Sequence, residues 1–130
     1  MTHEAIADET MAVLLKDLGS CCFQLKKYKE TIVHCLQSIK NLDQTEDSES
    51  AQIFINVTEL IGDCHYQQMN TIEALKYYKE ALFLAEEHSV PCETRNILRQ
   101  LCRKIGFCHF KMQLFDRAKR WFNLSVEMNQ

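Results

Sequence analysis

Cysteine and histidine are the residues of this chain best suited to chemistry. There are seven cysteines and five histidines. Cys64-His65 and Cys108-His109 form adjacent pairs, and Cys21-Cys22 stands at the matching place. Thiolate and imidazole are the ligands of a zinc site. On a helix, however, adjacent side chains diverge by about 100° and cannot both reach one ion. No C-x-x-C pair, nor any i, i+4 ligand pair, gathers two such groups on a face. The spacing therefore predicts no metal site and no cofactor. Cys21, Cys64 and Cys108 read instead as small apolar core residues, and His65 and His109 as ring-bearing residues at a helix interface.

Catalytic signatures are equally missing. The chain has no G-x-S-x-G elbow, no phosphate-binding glycine loop and no H-E-x-x-H helix. A cysteine nucleophile needs an accessible, electropositive setting beside a histidine, which cysteines on buried stripes lack. The chain is not expected to be an enzyme.

The elements that position these residues follow from the glycines. The only three, Gly19, Gly62 and Gly106, lie in three copies of one phrase: Leu18-Gly19-Ser20-Cys21-Cys22-Phe23, Ile61-Gly62-Asp63-Cys64-His65-Tyr66 and Ile105-Gly106-Phe107-Cys108-His109-Phe110. They recur after 43 and 44 residues, and a fixed period of this size marks a repeat array. After each copy, apolar residues fall at steps of three and four. These are Tyr28, Ile32, Cys35 and Ile39, then Ile72, Leu75, Tyr78, Ala81, Leu82 and Ala85, then Phe115, Ala118, Phe122 and Val126. One proline and three glycines in 130 residues suit a chain that is nearly all helix. Six helices are predicted, over 3–26, 28–42, 48–69, 71–88, 91–112 and 115–128. Asp47 or Ser48 is placed to cap the third, and Pro91 suits the first position of the fifth.

The pattern resembles the tetratricopeptide repeat, a helix–turn–helix unit. The family's Leu-Gly pair, its aromatic, and its small–aromatic–small series correspond to Ile61-Gly62, His65, Ala74, Tyr78 and Ala81. In the third copy they are Ile105-Gly106, His109, Ala118, Phe122 and Ser125, and in the first Leu18-Gly19, Cys22, Thr31, Cys35 and Ser38. The period exceeds the family's usual 34 residues by nine or ten, a length assigned to longer helices beside the inter-pair connections. The resemblance covers about residues 12–130. It implies an all-α, right-handed superhelical solenoid of three antiparallel helix pairs, near 3–42, 48–88 and 91–128, in a single domain spanning 1–130.

The resemblance also implies a function: a protein-interaction scaffold or adaptor that takes a peptide or helix in its concave groove. Matching residues give the groove three rows. The first is Val13, Lys16, Ser20, Phe23 and Gln24. The second is Asn56, Glu59, Asp63, Tyr66 and Gln67. The third is Gln100, Arg103, Phe107, Phe110 and Lys111. Phe23, Tyr66 and Phe110 form an aromatic level that either anchors a ligand or packs on the neighbouring helix. Glu59 and Asp63 place acid at mid-groove, and Arg103, Lys104 and Lys111 place base at the far end, suiting a protein partner of mixed or acidic charge.

One known groove of the family clamps the terminal carboxylate of chaperone tails. Its positions are held here by Lys16, Ser20, Asp63, Gln100 and Lys104, and Asp63 would repel that carboxylate. A co-chaperone adaptor is thus the competing reading. An RNA-binding helical repeat is another, which a net charge of −3 disfavours because phosphate contacts require cations.

Charge is unevenly spread: residues 1–90 carry 15 acidic and 7 basic side chains, and residues 91–130 carry 3 and 8. The Lys26-Lys27-Tyr28-Lys29 cluster reads as a solvated turn. Trp121, Phe122, Leu124, Val126 and Met128 give the last helix more apolar surface than one neighbour covers, implying a longer array or self-association there. No run is long and apolar enough for a membrane span. Free thiols and the absence of a secretory signal place the chain in the cytoplasm or nucleus.

Overall fold

The computed structural model describes residues 3–42, 48–88 and 93–128. Among them run six α-helices: α1 (His3–Gln24), α2 (Tyr28–Leu42), α3 (Ser48–Gln67), α4 (Thr71–Glu87), α5 (Glu93–Lys111) and α6 (Phe115–Glu127). The connections expected to hold the Asp47 cap and Pro91 lie outside the described residues, as does the Ser48 side chain. The predicted spans overrun α1 and α3 by two residues each, because those residues have already entered the turn.

Each turn is the same device built from different residues. Lys27 N–H donates to Cys22 C=O (2.9 Å) and Lys26 N–H to Phe23 C=O (2.9 Å). Asn70 and Met69 repeat this on His65 and Tyr66, and Leu114 and Gln113 on His109 and Phe110. This pair of bonds is the Schellman motif, which satisfies the last carbonyls of a helix and needs a left-handed residue. Lys26, Met69 and Gln113 supply it at φ 62°, 67° and 64°. The next residue's carbonyl then accepts the first bond of the second helix, from Thr31, Ala74 and Ala118. Reversal within three residues makes each pair an antiparallel hairpin.

Packing runs between sequence neighbours. α1 packs on α2, α3 on α4 and α5 on α6, while α2–α3 and α4–α5 join successive pairs and α1 also touches α3. Ala12, Cys35, Leu42, Ile53, Val57 and Ile61 fill the first joint. Tyr78, Ala81, Ala85, Leu101, Ile105 and Cys108 lie in the second. Each fully buried Leu or Ile contributes about 1.5–3 kcal/mol. The chain is an all-α superhelix, as expected.

The buried seam of the second helices differs from the apolar stripe read in the sequence. It consists of Thr31, Cys35, Ser38 and Leu42, then Ala74, Tyr78, Ala81 and Ala85, then Ala118, while Ile72, Phe115 and Val126 are exposed. Small side chains let the paired backbones approach, and bulkier ones are pushed to the flanks. Two serines use that closeness. Ser38 donates to Ala12 C=O (2.7 Å), and Ser125 donates to Arg99 C=O (3.0 Å) in the equivalent place.

Candidate partner-binding groove

Glu59, Asp63, Tyr66 and Gln67 share one face of α3 at helical spacing, as Gln100, Arg103, Phe107 and Lys111 do on α5. The two faces are bridged by Lys104, whose Nζ lies 3.1 Å from Glu59 Oε2 and 3.0 Å from Asp63 Oδ1. It also donates to Asp63 Oδ2 at 3.1 Å. Tyr78 reaches in from α4 and donates its hydroxyl to Asp63 Oδ1, with Lys104 Nζ 5.7 Å from its ring centroid. Burial, and then the charge of Asp63, hold the Tyr78 hydroxyl far above the ordinary phenol range. It therefore stays a proton donor at any physiological pH.

This arrangement corrects the expected charge map. Lys104 pairs with both mid-groove carboxylates across two repeats and leaves one net negative charge there. Lys111 is also engaged: its Nζ lies 4.4 Å from the Tyr66 ring centroid and 3.3 Å from Met69 Sδ. Arg103 is exposed and has no ion-pair partner among the described residues.

A depression of about 290 Å³ opens over this network, lined by Asp63, Tyr66, Gln67, Tyr78, Arg103, Lys104 and Phe107. Phe107, 46% exposed, stands edge-on to Phe122 at 5.2 Å between centroids. Five of the residues expected in the groove thus meet in one cavity. Gln100 and Arg103 also line a neighbouring depression with Arg99, Ser125 and Val126.

The remaining expected residues lie elsewhere or are otherwise occupied. In the first pair, Lys16 is half-buried and its carbonyl accepts from Ser20 Oγ at 3.1 Å. Phe23 packs edge-on against Tyr28 at 5.5 Å. Val13 leans on the first core cluster, and Gln24 is exposed. Asn56 accepts from the Gln52 amide at 3.3 Å. Phe110 packs against Phe115 at 5.2 Å, so at two of the three aromatic positions the ring meets the start of the following helix. Tyr78 was legible only as a packing residue, because the groove was expected to be lined by the first helix of each pair alone.

The cysteine–histidine pairs divide by position. Cys64 and Cys108 are fully buried, and His109 nearly so, while His65 stacks on Tyr77 at 5.4 Å. Cys21 is exposed, against expectation. Its counterparts point into the preceding pair, and α1 has no such neighbour among the described residues. No group of three His, Cys, Asp or Glu among the described residues could hold a metal ion.

Neither a family model nor a curated protein matches the chain. Its fold is similar to the N-terminal domain of stress-induced protein-1 (STI-1) from C. elegans, with a TM-score of 0.74 over 98% of this chain and 88% of that one, at 16% identity. The six helices, with that likeness, fit a repeat of the tetratricopeptide type. The threefold Gly phrase thus marks the three hairpins of that fold, recurring after 43 and 44 residues. No helix among the described residues is long and apolar enough to cross a membrane.

Proposed function

We propose that this chain is a non-enzymatic interaction scaffold whose groove between α3 and α5 takes a segment of a partner protein. The observation that carries the reading is the depression over the Asp63–Lys104 network, where an aromatic floor meets Arg103, a cation with no ion-pair partner among the described residues. Exposed aromatic surface beside a free arginine is the composition of an interface hot spot. The partner segment suited to it sets an apolar side chain against Tyr66 and Phe107 and, from a neighbouring acidic residue, a side-chain carboxylate in reach of Arg103.

Lys104 enters as part of the wall rather than as a contact. Its charge is spent on Glu59 and Asp63, so it is poorly placed to clamp a terminal carboxylate. That geometry argues against chaperone tails, despite the likeness to a stress-induced-protein domain. A free terminal carboxylate would meet Asp63 and Glu59 as like charges.

Selection from a displayed peptide library, followed by calorimetry on the selected peptides, tests this. Binders should carry an acidic residue beside an apolar one, and Arg103→Glu and Phe107→Ala should each weaken them about tenfold or more. Binders indifferent to both changes would refute the groove assignment. Tight binding of an acidic chaperone C-terminal peptide would favour the co-chaperone reading instead, and a gel shift with RNA the nucleic-acid one.

A further inference from the structure

One face of α1 duplicates a face that the molecule uses twice for its own assembly. Leu14, Leu18 and Cys21 correspond, one period on, to Val57, Ile61 and Cys64, and a second period on to Leu101, Ile105 and Cys108. In α3 and α5 these positions are sealed against the second helix of the preceding pair, with exposures of 0%. In α1 the same positions are open: Leu14 is 57% and Leu18 47% exposed. Met11, also exposed, extends the stripe by one step of three along the helix, and the exposed Leu25 follows in the turn.

The internal joints show what covers such a face, namely the outer side of a repeat's second helix. Among the described residues, nothing covers that side of α6 at Val126. Val126, an exposed residue, holds the position that Ile39 and Leu82 fill at the internal joints. The charges are complementary on balance. Asp8 and Asp17 are exposed on α1, and on α6 the exposed Arg117, Lys119 and Arg120 outnumber the exposed Asp116 and Glu127.

We propose that copies of this chain stack head to tail, the α1 face of one molecule on the α6 face of the next, repeating the joint that links its own hairpins. A symmetric α1–α1 pairing is disfavoured because Asp17 lies beside the midpoint of the stripe. Antiparallel copies would bring two aspartates together there. The joint between molecules is heterologous and does not close on itself. It is weaker than the internal ones, since Lys119 stands where Ile32 and Leu75 pack.

Sedimentation velocity on the whole chain tests the proposal with two single-face variants. Leu18→Arg opposes basic α6, and Val126→Glu opposes acidic α1; both sites are exposed, so circular dichroism should show the fold retained. The wild type should gain weight-average mass with concentration and lose it as salt rises. Each variant alone should sediment as one chain, and an equimolar mixture should give a species of two chains, because one intact head meets one intact tail. A wild type that stays monomeric at millimolar concentration would overturn the proposal. So would a Val126→Glu variant that still associates, since that marks a symmetric contact through α1.

Discussion

Gly62 on α3 lies against the ring of Tyr78 on α4, so closely that an added Cβ would sit 2.7 Å from Cε1 and 2.8 Å from Cδ1. Gly106 has the same relation to Phe122, at 2.7 and 2.8 Å. At Gly19 the partner is Cys35, whose Sγ would lie at 3.4 Å, an ordinary contact. The aromatic and the glycine are two halves of one packing unit, and the first repeat has given up the aromatic half.

Alanine substitutions should therefore separate the three repeats. Gly62→Ala must displace a ring that is buried and tied to Asp63, and is expected to cost about 1–3 kcal/mol by overpacking. Gly106→Ala should cost less, because Phe122 is only half-buried and has no polar tether. Gly19→Ala should stabilise by up to about 1 kcal/mol, the gain of removing glycine from a helix interior. Urea denaturation of the three variants gives the order directly.

The turns predict a gain. Met69 and Gln113 hold a left-handed conformation that costs an L-residue roughly 1–2 kcal/mol and glycine almost nothing. Part of that benefit is lost to the greater freedom of glycine in the unfolded chain. Gln113→Gly should still raise the stability, by about 0.5–1 kcal/mol, and thermal unfolding would detect it.

Tyr78→Phe isolates the hydroxyl's part in the groove network. It keeps the ring over Gly62 but removes a donor to a carboxylate, a bond worth about 1.5–3 kcal/mol. A loss of that order is expected in the urea midpoint.

Acid should weaken the fold through His109. Burial, and then the nearby Lys79 and Arg117 charges, lower its pKa from the ordinary 6.5. Below about pH 6.5 the unfolded chain then binds more protons than the folded one, so stability falls as pH drops and levels off above. His109→Phe should flatten the acid limb of a plot of unfolding midpoint against pH.

Thiol chemistry should follow exposure. Burial pushes the Cys35 thiol up to about 12 and those of Cys64 and Cys108 to about 11, keeping them protonated and inert. Cys21→Ser should remove one equivalent of rapid reaction with an aromatic disulfide reagent at mild alkaline pH. Cys35, Cys64 and Cys108 should react only on unfolding.

The hairpins were legible because glycine, alanine and serine recur where backbones touch, and that requirement is local and periodic. Cys21 misled for the same reason. A repeat pattern records the face each unit presents but not whether a neighbour covers it. The groove's charges failed differently: Lys104 and Asp63 stand 41 residues apart, and no spacing within a helix reports that they share a bond. The left-handed site of each turn gave no glycine or asparagine to read, since lysine, methionine and glutamine take it in their place.

Contacts confined to each hairpin and its immediate neighbours have an energetic consequence. Such a molecule has no single nucleus on which all of it depends, so its outer hairpins can fray while the middle one holds. Amide protons of α3 and α4, flanked on both sides, should be the slowest to exchange, with protection declining toward α1 and α6. Loosening at either end would leave the floor under Asp63 and Tyr78 among the last parts to come undone.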